Sequence, residues 1–312
     1  MLDMMSIAQV STRLTNNPFM ASSVEEALAY LTVNRGEAQL VAGGTDLLPR
    51  VQSGDLLVDH LVDVSRVATM RRIERQNGYL ICGGSVTFAA LQGEALVRER
   101  VPLLWEAAQQ MGTPEVRQVA TLAGNVVTAY GNADGAVALM ALDAEVEITN
   151  MTGSQWLPIG TLFVRSGVSR VDSTSEIVTA VRFNGLKPAQ GMALERIAPC
   201  QPGERTPLVL AMVLSVDRET NTVDWASVAA GAADTVPFHF SGLEELLSGL
   251  RLDDVRARET LPSLVYDRVI ASGKFNDTLV PHQDVVVLGR RAFRRALTMA
   301  LCENALPSNN GH

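Results

Sequence analysis

Residues 42–47, Ala-Gly-Gly-Thr-Asp-Leu, combine residue types that suit the binding of an anion. Gly43 and Gly44 can adopt positive φ and leave their N–H groups uncovered, and successive uncovered N–H groups form a concavity that holds phosphate without a lysine. Thr45 adds a hydroxyl donor, and we expect Asp46 to brace the turn through the N–H groups of its neighbours. The segment is not G-x-G-x-x-G and no helix is expected to begin on it, so a Rossmann nucleotide site is disfavoured. Taken by itself, such a pair of glycines is more often a plain turn after a strand.

A second group of polar residues interrupts an apolar run at residues 121–129, TLAGNVVTA. Buried polar side chains need hydrogen-bond partners, and the polar edge of a flat heterocycle would supply them to Thr121 and Asn125. The alternative is a capped loop in which Asn125 bonds to its own backbone. Asp134, in the sequence GNADG, is either a further polar group of the same site or only a helix N-cap.

The overall charge argues against several classes of partner. The 312 residues include 34 acidic and 26 basic ones, a net charge of −8, which disfavours nucleic acid. An anion must then be held by local backbone dipoles. The three cysteines lie far apart without a C-x-x-C pair, so neither a metal centre nor a disulfide framework is expected. With no secretory leader and no apolar run of about 18–20 residues, we expect a cytoplasmic protein.

Hydrophobic periodicity and capping residues predict short helices and strands in the first half of the chain. The segment Ser22-Ser23-Val24-Glu25-Glu26 predicts the start of a helix with a serine cap, and the helix runs to about Thr32. Thr87 caps a shorter helix from Phe88 to Leu91. The other predicted elements are strands at 38–41, 61–64, 79–82, 145–149 and 176–183, helices at 102–111 and 134–142, and an apolar connection at 119–125.

The second half of the chain predicts a separate unit. A turn-rich stretch at 184–188 marks a domain boundary, and strands are predicted at 207–216 and 223–230. The longest helix is predicted at 284–304. Its expected apolar side consists of Val286, Phe293, Leu297, Met299 and Leu301. Strands followed by helices, rather than strict alternation, favour an α+β fold. We therefore divide the chain into residues 1–186, residues 187–306 and a flexible tail at 307–312.

Four segments, in their order and spacing, resemble one family. They are AGGTDL at 42–47, CGGSVTFAAL at 82–91, ATLAGNVVTAYGNADGAVALMALDAEVEI at 120–148 and SEIVTAVRF at 175–183. They are similar to the FAD-binding medium subunits of the molybdenum hydroxylases, the group of xanthine dehydrogenase, carbon monoxide dehydrogenase and 4-hydroxybenzoyl-CoA reductase. The resemblance implies a two-lobed FAD-binding domain of the p-cresol methylhydroxylase (PCMH) type, similar to vanillyl-alcohol oxidases, over residues 1–186. It implies an α+β domain of the carbon monoxide dehydrogenase flavoprotein type over residues 187–306.

The resemblance also implies which residues bind the cofactor. The backbone of residues 42–46 would hold the FAD diphosphate, and Gly84 and Thr87 would lie along the same cofactor. Residues around 121–134 match family positions near the diphosphate, ribityl chain and flavin. Ile177 matches a position where an aliphatic residue packs near the isoalloxazine or adenine ring. The full set is Ala42, Gly43, Gly44, Thr45, Asp46, Leu47, Gly84, Thr87, Thr121, Gly124, Asn125, Asp134 and Ile177. No catalytic acid or base and no metal ligand is expected in this chain.

The sequence departs from the family pattern at three places. Ala123 replaces the first glycine of the usual T-x-G-G-N, and Tyr130 and Gly131 follow Ala129 where Ser-Pro is common. A lysine near the flavin in many relatives is replaced by the segment Leu194-Glu195-Arg196. The cysteine-rich loop that holds a [4Fe–4S] cluster in the hydroxybenzoyl-CoA reductase branch is absent between Asn125 and Asp134, so no cluster is expected in this subunit.

The function that the resemblance implies is electron transfer within a larger enzyme. A large subunit would carry molybdopterin with molybdenum, a small subunit two [2Fe–2S] clusters, and this chain FAD, in a dimer of heterotrimers. FAD would receive electrons from the clusters and pass them to NAD⁺, a quinone, oxygen or another carrier. Two alternatives remain open: a self-sufficient flavin oxidoreductase of the PCMH type, and a docking subunit that has lost its cofactor.

Other residues that suggest chemistry have simpler interpretations. Cys82, on a predicted strand, is expected to be a small core residue. His239, between two phenylalanines, is expected to be a packing or surface residue. The arginines of the final helix form a basic face, either solvated and charge-paired or a docking surface for an acidic partner. They are Arg290, Arg291, Arg294 and Arg295.

Overall fold

The computed structural model describes residues 17–197, 208–233, 235–253, 267, 271 and 282–302. Strand β1 (Phe19–Met20), helix α1 (Val24–Val33), strand β2 (Ala38–Val41), helix α2 (Leu47–Gln52) and strand β3 (His60–Asp63) form the first unit. The three strands make a parallel sheet in the order β1-β3-β2. The Ser23 side chain caps α1 by accepting the N–H of Glu26. The apolar stripe of the helix packs on this sheet.

A second sheet has five strands in the order β4-β5-β10-β6-β7. Their bounds are β4 (Ile73–Gln76), β5 (Tyr79–Gly83), β6 (Glu145–Asn150), β7 (Gly153–Pro158) and β10 (Ile177–Asn184). All four pairings are antiparallel. The short strands β8 (Phe163–Arg165) and β9 (Val168–Ser169) form a separate hairpin.

Six helices lie between β5 and β6 in the chain. They are α3 (Phe88–Gly93), α4 (Ala95–Arg100), α5 (Pro102–Gln110), α6 (Pro114–Val119), α7 (Leu122–Val127) and α8 (Asp134–Ala141). Side-chain oxygens of Thr87, Thr113 and Thr121 cap α3, α6 and α7. Every residue of α8 is buried, and all of them after Asp134 are glycine or apolar, as expected for a helix that is covered on all sides.

The third sheet is antiparallel, in the order β11-β12-β13-β14. Its strands are β11 (Gln190–Arg196), β12 (Leu208–Asp217), β13 (Thr222–Ala232) and β14 (Phe238–His239), followed by helices α9 (Ser241–Leu247) and α10 (His282–Leu301). Alternate residues of β12 join two different hydrophobic clusters: Val209, Ala211 and Val213 pack with α5 and α8, while Leu208, Leu210 and Met212 pack with α9 and α10. Residues 208–214 of β12 are all apolar because both faces of the strand are covered there.

The structure confirms the capped helix after Ser23, the Thr87 cap, the helix that begins at Pro102 and the strand pair that became β12 and β13. The connection predicted at 119–125 is wrong: α6 ends at Val119 and α7 begins at Leu122. Among the described residues seven strands were missed, namely β1, β4, β7, β8, β9, β11 and β14. The predicted tail at 307–312 and Cys200 lie outside the described residues.

The apolar side of α10 differs from the prediction in part. Phe293 is buried, but Leu301 is 43% exposed, and the helix packs chiefly through Val285, Leu288 and Ala296. Among the arginines of its basic face, Arg295 bonds Glu106 and Glu195, and Arg291 lies 3.2 Å from Glu195. These pairs join α10 to α5 and β11, whereas the simpler interpretation expected a solvated face or charge pairing at the helix end. No helix in the described ranges is long and apolar enough to cross a membrane.

Candidate functional site

The turn at residues 42–47 lies between the first sheet and helix α6. Gly44 has a φ of +68°, the left-handed region that favours glycine. A Cβ atom at Gly43 would lie 2.2 Å from the carbonyl oxygen of Val119. Gly44 is therefore required for the bend in the backbone. Gly43 is required because the turn lies directly against the end of α6.

Four consecutive N–H groups of this turn, those of Gly43, Gly44, Thr45 and Asp46, donate to no acceptor among the described residues. The turn is followed directly by α2, contrary to our expectation that no helix begins there. Thr45 is exposed and the other three residues are half-buried, so these N–H groups are open to water or to a ligand. Successive open N–H groups on a cavity wall can bind an anion.

Asp46 does not brace the turn as predicted. Its side chain makes no capping hydrogen bond to a neighbouring N–H group. One carboxylate oxygen instead accepts a hydrogen bond from the Tyr130 hydroxyl at 3.3 Å, and the other lies 3.6 Å from the guanidinium of Arg50. The Asp46 carboxylate is thus partly neutralised at a wall where an anion would otherwise be repelled.

The second polar segment forms helix α7 and faces the turn. Thr121 is 3% exposed, and its hydroxyl accepts the N–H of Gly124. The N–H groups of Leu122 and Ala123 donate to Val86 and Gly84. The first turn of α7 is therefore already satisfied, and it adds side chains rather than backbone donors to the cavity.

Asn125 links α7 to α8. Its Oδ1 atom accepts the N–H of Ala136 at 2.9 Å, so the alternative in which it bonds to its own backbone is wrong. Its amide nitrogen has no partner in the described part of the chain, and Asn125 is one of the residues that line the cavity. Asp134 is not the N-cap of α8 either, since Ala133 holds that position and Asp134 is the first helical residue.

The turn and α7 enclose a cavity of about 320 Å³, within the usual range for a ligand site. Nine of the thirteen residues predicted for the site line it, namely Ala42 to Leu47, Thr121, Gly124 and Asn125. The sequence analysis missed further lining residues, among them Arg50, Met111, Thr128 and Gly167. Arg50 would have been found if the helix after the turn had been predicted, because it lies one helical turn after Asp46.

Four predicted site residues do not line this cavity. Gly84 lies between α7 and β10, where a Cβ atom would be 2.1 Å from the carbonyl oxygen of Val178. Thr87 caps α3, and Ile177 is fully buried in the core of the first unit. Gly84 therefore supports α7, and the roles of Thr87 and Ile177 toward a ligand stay predictions.

Asp134 is buried behind the cavity. Its Oδ2 lies 3.4 Å from Arg196, and its Oδ1 is buried without a partner in the described residues. Burial raises the pKa of this carboxyl to about 6, against the opposing effect of Arg196. Arg196 is also bonded to the carbonyl oxygen of Gln110, next to the cavity residue Met111.

Comparisons with known proteins show which family this chain resembles. A family model described as "FAD binding domain in molybdopterin dehydrogenase" matches residues 15–183. The nicotinate dehydrogenase FAD-subunit of Eubacterium barkeri is 27% identical over 255 residues, which cover 80% of this chain and 86% of that protein. The xanthine dehydrogenase FAD-binding subunit of Escherichia coli O157:H7 is 30% identical over 52% of this chain and 56% of its own length.

Solved structures show the same fold. Carbon monoxide dehydrogenase from Hydrogenophaga pseudoflava includes a chain that superposes with a TM-score of 0.80 at 22% identity, covering 90% of this chain and 97% of that one. A chain of quinoline 2-oxidoreductase from Pseudomonas putida 86 has a TM-score of 0.80 at 19% identity, covering 92% and 99%. The predicted fold, an α+β flavin-binding unit followed by an α+β C-terminal unit, is confirmed.

Proposed function

Because the chain belongs to the family of FAD-binding domains in molybdopterin dehydrogenases, we propose that its cavity holds FAD and that it carries electrons to an external acceptor. The family makes the chain an oxidoreductase subunit. We also propose which residues bind FAD, which subunits assemble with this chain and how the electrons pass through it. The observation that carries it is the row of unpaired N–H groups at residues 43–46 on the cavity wall.

The donors of this cavity suit a diphosphate. A chain with a net charge of −8 has no general attraction for anions, so binding depends on local dipoles. The N–H groups of residues 43–46 supply four donors, the Thr45 hydroxyl a fifth, and Arg50 a guanidinium that lies 3.6 Å from the Asp46 carboxylate. Because Arg50 is 48% exposed and paired with Asp46, its attraction for an anion is reduced by its partner and screened by salt.

The other walls suit the rings and the ribityl chain. Leu40, Val41 and Val127 give apolar surface, while the Asn125 amide and the Thr128 hydroxyl give polar atoms. Bound FAD would supply the chemistry, since it accepts electrons one at a time and gives them up in pairs. The residues of this chain bind the cofactor, orient it and limit its contact with water. We assign no acid–base step to them.

The partners follow from the relatives. The curated relatives include a carbon monoxide dehydrogenase medium chain and an FAD-subunit of nicotinate dehydrogenase. We propose that this chain likewise works beside a molybdopterin subunit and a [2Fe–2S] subunit in the cytoplasm, as a dimer of heterotrimers. Its acceptor is NAD⁺, a quinone, oxygen or another carrier. We also propose the boundary between residues 186 and 187, which lies between β10 and β11.

The test is to purify the intact complex and to record its visible spectrum before and after adding the organic substrate. We expect absorption of oxidised flavin, about one FAD per copy of this chain, and bleaching when substrate is added. The candidate acceptors are then added singly to the bleached complex to find the one that restores the spectrum. An intact, active complex without FAD would refute the proposal.

A further inference from the structure

Two residues distant in sequence join opposite walls of the cavity. Tyr130, after α7, donates its hydroxyl hydrogen to Asp46, at the start of α2, over 3.3 Å. Both residues line the cavity, and Arg50 lies 3.6 Å from the second oxygen of Asp46. The contact, which we call the Tyr130–Asp46 bridge, therefore joins the turn at residues 42–47 to the loop that follows α7.

The loop that carries Tyr130 is held in an unusual conformation. Ala129 has a φ of +53° and is fully buried. A non-glycine residue in this region costs roughly 1–3 kcal/mol, and it persists only where surrounding contacts impose it. One such contact is the hydrogen bond from the Gly167 N–H to the carbonyl oxygen of Ala129, at 3.1 Å. The Tyr130 ring lies over Gly167, where a Cβ atom would be 3.4 Å from Cε1.

The same loop rests on the C-terminal sheet through two glycines. A Cβ atom at Gly231, on β13, would lie 1.7 Å from the carbonyl oxygen of Gly131. A Cβ atom at Gly131 would lie 2.3 Å from the carbonyl oxygen of Ala232. The Ser166 hydroxyl also donates to the carbonyl oxygen of Ala233 at 3.1 Å. The backbone beside Tyr130 is thus fixed by β13, which lies in a different sheet from the cavity turn.

We propose that the Tyr130–Asp46 bridge is a gate over the cofactor cavity, and that the close contact between Gly131 and Gly231 holds this gate in place. The inference rests on the proposed binding of FAD in this cavity. A gate must open both when FAD enters and when it leaves. Breaking the bridge therefore accelerates both steps, whereas loss of a direct contact with FAD accelerates release alone.

The experiment measures association and release of FAD by flavin fluorescence, using full-length chain and its Tyr130→Phe variant. We expect both rate constants to rise about three- to tenfold, the range that one hydrogen bond supplies, and the melting temperature of the cofactor-free chain to fall by no more than about 2–4 °C. Tyr79→Phe is the matched control, because Tyr79 lies on β5 and does not line this cavity. It should leave both rates unchanged.

Three outcomes would overturn the gate. Unchanged rates in Tyr130→Phe, with normal FAD binding by the wild type, would refute the gate alone. Faster release with unchanged association would show that Tyr130 contacts FAD directly instead. Failure of the wild-type chain to bind FAD would refute the gate together with the proposed function.

The role of the C-terminal sheet is tested separately. Gly231→Ala forces the 129–133 loop to move, and we expect the same rise of both rates. Because this variant is at risk of misfolding, Ser166→Ala is measured beside it, since it removes only the hydrogen bond to Ala233. We expect a smaller rise, about twofold, in both rates for Ser166→Ala. Unchanged rates in a folded Gly231→Ala chain would refute the holding role.

Discussion

The carboxylate of Asp134 lies 3.4 Å from the guanidinium of Arg196, although the two residues belong to different parts of the fold. Asp134 is 8% exposed and Arg196 is 25% exposed. The pair joins α8 to β11 immediately behind the cavity. Removing the arginine would leave a buried carboxylate without a counter-charge, which is among the most damaging changes known for a folded protein.

The first prediction concerns the pH dependence that Asp134 causes. Its pKa is about 6 in the folded chain and near 3.8 when unfolded, so the folded state binds the proton more tightly. The stability that protonation confers is therefore complete below pH 3.8 and is lost as the pH rises through about 6. Urea unfolding of the cofactor-free chain measures this effect. As the pH rises from about 3.8 to above 6, the unfolding free energy of Asp134→Asn should increase relative to that of the wild type by on the order of 2–3 kcal/mol.

Asp134→Asn is close in shape to the native residue, so its own packing cost is small and independent of pH. The difference in unfolding free energy between variant and wild type should be flat above about pH 7. A difference that does not change between pH 4 and pH 6.5 would show that Asp134 keeps an ordinary pKa.

The second prediction concerns His239, which lies between two carboxylates. Its Nε2 is 3.2 Å from Asp143 and its Nδ1 is 3.2 Å from Glu244. Hydrogen bonds to Asp143 and Glu244 raise the pKa of His239 to about 9. The protonated His239 ring therefore stabilises the folded chain. This contribution is complete below pH 6.5, the pKa of the ring in the unfolded chain, and it is lost as the pH rises through about 9.

Melting temperatures between pH 6 and pH 10 test this effect. The wild type should lose stability over that range relative to His239→Gln, with a modest amplitude because the His239 side chain is 37% exposed. His60→Gln is the control, since His60 faces the Tyr30 hydroxyl at 3.4 Å. Parallel curves for wild type and His239→Gln would contradict the prediction.

Elements with their own local signals were predictable from the sequence. Ser23 and Thr87 are typical N-cap residues, so the helices that they cap could be predicted from the residue types alone. The continuous apolar run of β12 likewise indicates a buried strand. Helix α6 was missed although Thr113 and Pro114 stand at its start, because it buries none of its residues and shows no apolar stripe. Strand β11 was missed because its burial comes from helix α10, about a hundred residues later.

The candidate site was predictable only where glycine and short polar residues mark it. The turn at 42–47 and the pair Thr121 and Asn125 stand out by residue type. The hydrogen bond between Asp46 and Tyr130 spans 84 residues, and no local pattern indicates such a contact. Similarly, an isolated Gly131 does not reveal that another backbone lies against it.

The third prediction concerns the contact between the cavity turn and α6. Gly43→Ala places a Cβ atom 2.2 Å from the carbonyl oxygen of Val119, so the turn must move away. We expect a loss of about 1–3 kcal/mol in unfolding free energy and at least a tenfold weaker affinity for FAD. Urea unfolding and fluorescence titration with FAD measure the two effects.

Gly93→Ala is the matched control for this substitution. A Cβ atom at Gly93 has nothing within 4 Å, and the residue ends α3 without a positive φ. The control should be neutral or slightly stabilising and should bind FAD normally. Equal FAD affinity in the two variants would show that the position of the turn does not matter for the cofactor.

The fourth prediction separates the two roles of Asn125. Its Oδ1 atom accepts the N–H of Ala136 at the start of α8, and Asn125 is also one of the residues that line the cavity. Asn125→Asp keeps the acceptor for Ala136 but replaces the donor with a negative charge. We expect the cofactor-free variant to melt as the wild type does, and its FAD affinity to fall at least tenfold, because the new charge repels the diphosphate.

Asn125→Ala completes the comparison, because it removes both functions. It should lose about 1 kcal/mol of stability, the usual value for a lost helix cap, and also bind FAD more weakly. Calorimetric melting and FAD titration of both variants distinguish the roles. If Asn125→Asp binds FAD as tightly as the wild type, the Asn125 amide does not face the cofactor, and the residue serves only to join α7 to α8.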